Sequence, residues 1–194
     1  QVEHTVTECV TGIDIVQNQI RVAEGYALNS DEIGIKSQQD ISVRGYAIQC
    51  RITTEDPAMG FIPDTGLLEL YRTASGNGIR LDGGNGFTGS IISPYYDSLL
   101  VKVSAYANRF DDARRKAIRA LEETQIKGIK TNTAFLLNVL NHPTFIAGKC
   151  DTGFIEANPE LTNIRPVVDR EAKVLNHIGN IVVNQTHGKK PNFN

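Results

Sequence analysis

No apolar run in this chain approaches the ~20 residues needed to span a bilayer, and no signal-peptide pattern opens it. The chain therefore reads as soluble and cytoplasmic. Cysteine is scarce: Cys9, Cys50 and Cys150 are widely spaced, with no Cys-x-x-Cys pair and no histidine at ligand spacing. An odd count without pairing excludes a disulfide framework and a zinc site, fits a reducing compartment, and leaves three buried small hydrophobes as the expectation. Neither sign of charge dominates, since 20 basic residues face 22 acidic ones for a formal charge of -2. That balance gives no field to attract nucleic acid or an anionic membrane. The runs Arg114-Arg115-Lys116 and Lys189-Lys190 are too short to change this, and no aromatics interleave with them. Internal repeats, low-complexity tracts, a Gly-x-Ser-x-Gly elbow and a phosphate-binding Gly-Lys-Ser/Thr loop are also absent.

What is present is ordinary for a globular chain: 40% apolar and 22% charged residues over a length of 194, enough for one domain with flanking pieces. The opening Gln1-Val2-Glu3-His4-Thr5-Val6-Thr7-Glu8 puts an amide, an acid and an imidazole at the first residues. Its β-branched valines alternate with polar neighbours as far as Val10, which predicts a strand running into a loop at Thr11-Gly12. A chain that opens in mid-strand is expected to be a piece of a larger one. Thr11 with Asp14 resembles a capping box, and Ile13, Val16, Ile20 and Ala23 follow at helical spacing, so a helix is predicted over 12–24 with Gly25 at its end.

Residues 41–52 alternate for twelve positions, as a half-buried antiparallel strand does. Further short strands are expected at 66–72, 79–81 and 99–105, separated by the turns Ser75-Gly76-Asn77-Gly78 and Gly83-Gly84-Asn85-Gly86. Helices are predicted over 111–124, with Ala113, Ala117, Ala120 and Leu121 on one side, and over 131–141, stopped by Pro143. The sum is an α+β domain over 41–157, preceded by a strand-plus-helix piece over 1–40. A linker over 158–166, a short helix over 169–178 and a strand at 181–183 then lead toward a next domain.

Two constellations carry chemistry. Glu3, flanked by Gln1 and His4, has the form of a general base with an orienting shell, although a strand glutamate is ordinarily solvated or ion-paired. Arg80 follows the glycine-rich turn, where its fork of donors can be held against an anion or an enolate oxygen; a surface salt bridge is the plainer reading. Ser93 to Lys102 is dense in turn-forming and hydroxyl groups, with Pro94, Asp97 and Ser98 suited to satisfying backbone donors, a structural role.

Together these segments resemble the biotin carboxylase component of biotin-dependent carboxylases. The resemblance is carried by residues 1–8 with Thr11-Gly12-Ile13-Asp14, Cys50-Arg51-Ile52, Glu55-Asp56-Pro57, Gly78-Ile79-Arg80, Pro94-Tyr95-Tyr96-Asp97-Ser98 and Gly128-Ile129-Lys130-Thr131-Asn132. Within that family, residues 135–145 and Thr152-Gly153-Phe154-Ile155 are most similar to the pyruvate-acting branch. The acetyl-CoA and propionyl-CoA carboxylases are the alternative, and a non-catalytic dimerisation module is a second one of a different class.

The resemblance implies the end of an ATP-grasp domain over residues 1–40 and the biotin carboxylase C-terminal domain over 41–157, an antiparallel sheet of short strands with flanking helices. It implies ATP- and bicarbonate-dependent carboxylation of biotin, with ATP, Mg and biotin as cofactors and the biotin carrier domain of the same polypeptide as partner. Glu3 matches the base that deprotonates bicarbonate, Gln1 and Val2 its bicarbonate-holding neighbours, and Arg80 the arginine that steadies the biotin enolate and meets bicarbonate. Arg109 matches a position near the family's dimer contact, within a tetrameric intact enzyme. The family's nucleotide and metal ligands fall upstream of residue 1, so the 194 residues alone are expected to be inactive.

Overall fold

The structure is a computed structural model, and it describes residues 4–84, 86–164, 174–175 and 177–179. In chain order the helices are α1 (His4–Thr11), α2 (Ile15–Ala23), α3 (Phe110–Glu123), α4 (Thr133–Asn141), α5 (Pro143–Ile146) and α6 (Phe154–Ala157). The strands are β1 (Tyr46–Thr53), β2 (Glu55–Asp56), β3 (Ile62–Pro63), β4 (Gly66–Leu67), β5 (Leu70–Arg72), β6 (Ile79–Gly83), β7 (Ile91–Ile92), β8 (Leu99–Ala107) and β9 (Gln125–Lys127). Two units are distinguished, residues 1–163 and 164–194. In the second, residues 174–175 and 177–179 have helical backbone; the rest of the helix expected over 169–178, and the strand at 181–183, lie outside the described residues.

The first unit is organised by the two faces of a three-stranded antiparallel sheet in the order β1-β8-β6. Side chains alternate across a strand, so register decides which residues share a face. Ile48, Cys50 and Ile52 pair with Ala105, Val103 and Val101, while Ile79 and Leu81 pair with Ala105 and Val103 from the other side. These form the apolar face. Against it α3 lays Ala113, Ala117, Ala120 and Leu121, a stripe at helical spacing that is almost wholly buried. The three alanines let the helix approach the sheet closely, and Asp111 in its first turn complements the helix dipole while pairing with Arg114 and Arg115.

The intervening positions, Gln49, Ser104, Arg80 and Asp82, fall on the opposite, polar face. Here α1 lies. Thr5, fully buried, accepts hydrogen bonds from Ser104 Oγ at 2.8 Å and from the Gln49 side-chain amide. This is the largest departure from the expected strand over the opening residues. The valines at positions 2, 6 and 10 are four apart, a spacing that suits a helix as well as a strand, and contacts to the sheet decide between them. Residues 1–3 of that expected strand lie outside the described residues.

Helix boundaries differ as well. α2 starts at Ile15 and not at residue 12, because α1 runs through Thr11, Gly12 turns the chain at φ 73°, and Asp14 caps α2 by accepting from Gln17 N. Gly25, at φ 103°, follows its end as expected. The alternating run at 41–52 becomes strand only at Tyr46. A Cβ on Gly45 would stand 2.6 Å from Ala107 O, and before it Arg44 N donates to Val10 O. The single strand expected over 66–72 is two, with β4 pairing β7 and β5 pairing β9.

The expected linker over 158–166 packs at its start. Pro159–Thr162 is a 3-10 turn whose Leu161 is buried with Phe135 and Phe154 in a second small core, and Asn138 donates to Leu161 O at 2.9 Å. Residues 165–166 lie outside the described residues. Of the three cysteines only Cys50 is buried; Cys9 is half-buried and Cys150 exposed, which corrects the expectation of three core thiols. Among the described residues no helix is long and apolar enough to cross a membrane.

Candidate functional site

Arg80 is the second residue of β6, delivered by a turn that only glycine permits. Gly78 has φ 79°, and a Cβ there would stand 2.5 Å from Tyr106 O. Ile79 and Leu81 go into the core, so strand alternation sends Arg80 and Asp82 to the polar face beneath α1. There the guanidinium is held on two sides. Asp82 takes Nε and Nη2 as a bidentate fork, both at 2.8 Å, and Glu8 of α1 takes Nη1 at 2.5 Å. The salt-bridge reading of Arg80 is therefore correct as far as it goes. Among the described residues these bonds engage three of the five N–H groups of the guanidinium.

Electrostatically the cluster fixes Arg80 as a permanent cation. The hydrogen bonds to Asp82 raise its pKa above the ordinary arginine value, burial opposes this, and Glu8 adds to the rise. Burial raises the pKa of Cys9, while Arg80 beside it pulls the other way. Glu8 is the most enclosed of the three charged groups at 8% side-chain exposure, against 37% for Arg80 and 28% for Asp82.

A cavity of about 750 Å³ opens over this cluster, lined by His4, Glu8, Asp14, Gln17, Arg80 and Asp82 among others. Gly12, Ile13, Val16 and Ile20 complete the lining, so α2 and the sheet face one another across a space of mixed polarity beside a fixed arginine. Of the expected site residues, Arg80 sits in this cavity. Gln1, Val2 and Glu3 lie outside the described residues, immediately before His4, which does line it. Arg109 is elsewhere, exposed at the N-cap of α3 and outside the cavity lining.

Glu8 and Asp82 are the members that reading the sequence missed. Asp82 had a signal, since an arginine and an acid two apart on a strand share a face. Glu8 had one only if residues 4–11 are read as a helix, which puts Thr5, Glu8 and Cys9 on one side.

The Ser93–Ser98 segment does what a structural role requires. Asp97 accepts from Leu99 N at 3.0 Å, and Ser98 Oγ donates to Glu55 at 2.7 Å. Asn132, buried, clamps β1 by accepting from Thr53 N and donating to Arg51 O, each at 3.0 Å. Among the described residues no group of three His, Cys, Asp or Glu side chains gathers as a metal site.

Residues 49–157, more than half the chain, match the family described as "Biotin carboxylase C-terminal domain". The chain belongs to the biotin carboxylase C-terminal domain family. Residues 1–31 separately match "Carbamoyl-phosphate synthase L chain, ATP binding domain". A pyruvate carboxylase of Bacillus subtilis is 52% identical over 197 residues, a match that takes in 100% of this chain and 17% of that relative. A complete multifunctional pyruvate carboxylase from Rhizobium etli superposes with a TM-score of 0.85 at 48% identity, covering 95% of this chain and 17% of that one. The biotin carboxylase domain dimer of Hydrogenobacter thermophilus 2-oxoglutarate carboxylase, solved with MgADP, ADP and bicarbonate, gives 0.77 at 41% identity over 84% of this chain and 34% of that one. The chain thus spans about a sixth of the length of the curated relatives it matches. The biotin carboxylase C-terminal match takes in the elements from β1 to α6, and the match over residues 1–31 takes in α1 and α2.

Proposed function

We propose that this chain supplies part of the biotin carboxylase site of a pyruvate carboxylase, in which ATP and bicarbonate are used to carboxylate biotin for the conversion of pyruvate to oxaloacetate. The observation that carries the reading is the fixed cation: Arg80 is locked on two sides by Glu8 and Asp82 at the wall of a cavity. A guanidinium so held offsets negative charge as an enolate forms on biotin and gives bicarbonate a partner, with little reorganisation during the reaction. The similarity to pyruvate carboxylases over the whole chain supports pyruvate as final acceptor.

In this reading Glu3 is the base that takes the bicarbonate proton, and Gln1 with the backbone of Val2 holds the anion. A carboxylate and a bound bicarbonate repel unless a proton lies between them, which is the arrangement a base needs. ATP and Mg serve the activation of bicarbonate. No described carboxylate cluster fits a metal, so none of this chain's described residues is assigned to them. Biotin arrives on a carrier domain of the same polypeptide. Arg109, exposed beyond the end of β8, is assigned to a dimer contact within a tetramer, supported by the dimeric state of the Hydrogenobacter domain. Three unpaired thiols suit a reducing compartment, and we place the protein in the cytoplasm.

The test is transfer of labelled bicarbonate to biotin by the full-length polypeptide carrying this chain. Arg80→Ala should lower the rate by about 10²-fold or more, the usual scale for removing a charge-stabilising donor. Glu3→Gln should also abolish transfer while leaving the fold intact. Unchanged transfer by Arg80→Ala would leave the chain a scaffold or dimerisation module.

A further inference from the structure

Glu8 enters the reading above only as one of the two acids that lock Arg80, yet it is the most enclosed of the three charges. Its two oxygens face different elements. Oε1 accepts from the backbone N–H of Ile15, the first residue of α2, at 2.7 Å, and Oε2 accepts from Arg80 Nη1 at 2.5 Å. Asp82 also binds Arg80, but it stands two residues along the same strand and moves with it. Among the described hydrogen bonds that the Arg80 side chain donates, the one to Glu8 ties it to another element. α1 is itself fixed one turn earlier, where Thr5 bonds to Ser104, the cross-strand partner of Arg80. Thr5 and Glu8 lie three apart on one helical face, so α1 grips the sheet at two points and sets Arg80 from the second.

We propose that Glu8 is a positioning residue for Arg80: it holds the guanidinium in line for the substrate and fixes its distance from the start of α2. The inference rests on the reading of Arg80 as a substrate-binding group. It assigns to Glu8 no contact with substrate. Together with Asp82, the carboxylate also offsets part of the charge that the Arg80 cation presents to an incoming anion. Removing it therefore has two separable effects: alignment is lost, and ground-state attraction for bicarbonate is kept or increased.

Glu8→Gln is close to isosteric. It can still accept from Ile15 N, but the amide then turns its own N–H toward Nη1, so Arg80 is released on that side. In the full-length polypeptide, labelled-bicarbonate transfer to biotin should show kcat about tenfold down with the bicarbonate KM unchanged or lower. Glu8→Asp keeps the charge at a shorter reach and should recover part of kcat.

A purely structural Glu8 predicts a different result, with a lower melting temperature, a raised KM and no rescue by Asp. That outcome overturns the inference. So does a Glu8→Gln enzyme with kcat and KM both within about twofold of wild type, provided Arg80→Ala is inactive in the same assay. Should Arg80→Ala itself turn over normally, the reading of Arg80 fails first and the role of Glu8 falls with it.

Discussion

Burial sorts the three thiols into different chemistries, although the sequence spaces them without distinction. Cys50, at 3% exposure against α3, has its pKa pushed by desolvation up to about 12 from 9.0. Cys150 is exposed, its thiol raised by residual desolvation and by Asp151. A chromogenic disulfide reagent added to the native protein should therefore react first at Cys150, and at Cys50 only after denaturation. Fast labelling of Cys50 in the folded protein would contradict its place in the core.

The same burial links stability to pH. Between 9.0 and about 12 the unfolded chain has lost the Cys50 proton while the folded chain keeps it. The unfolded state then binds fewer protons, so stability falls as pH rises through that window and is unaffected below it. Urea unfolding of Cys50→Ala should show a shallower alkaline loss than wild type, and equal slopes would rule the linkage out.

At the scale of elements, α1 shows where sequence patterning stops being decisive. Its residues, His-Thr-Val-Thr-Glu-Cys-Val-Thr, are rich in β-branched side chains and would suit a strand, but the polar face of the sheet offers partners only a helix can reach together. Thr5→Val keeps the volume and removes the acceptor, leaving Ser104 Oγ and the Gln49 amide without it. This should cost about 1–3 kcal/mol in urea unfolding, the usual penalty for removing the acceptor of a buried hydroxyl such as Ser104. A variant as stable as wild type would mean that α1 is not held by this bond.

The buried face of α3 was legible, because Ala113, Ala117, Ala120 and Leu121 fall on one side at helical spacing; that it covers β8 was not. Leu121→Ala should cost about 2–5 kcal/mol, as removal of a fully buried leucine does. The turn before Arg80 was legible as a turn but not as a close approach. Gly78→Ala forces a Cβ against Tyr106 O at positive φ, and should both destabilise the fold and displace Arg80.

For the whole molecule, the order of strands and helices from β1 onward was open to reading because most local signals agree with the fold: alternation in β1, the alanine stripe, glycine at turns. Partners brought together from a distance were not. Glu8 and Arg80 are 72 positions apart, and nothing in either neighbourhood announces the other. Nor do Thr54 N and Ser98 O, or Asn132 and β1, which close the sheet by long-range bonds. Arg80 was found through its glycine turn and a family resemblance, whereas the two acids that make it rigid required the register of β6 and the helical form of α1.

If Arg80 serves the carboxylation of biotin, bicarbonate binds against it, and a crystal structure of the full-length polypeptide with bicarbonate makes that contact visible. A bicarbonate oxygen should lie within about 3.2 Å of an Arg80 Nη atom, with the Glu3 carboxylate at similar distance from another oxygen and Glu8 still bonded to Nη1. Bicarbonate bound away from Arg80, with its guanidinium engaged only by Glu8 and Asp82, would contradict that role for Arg80.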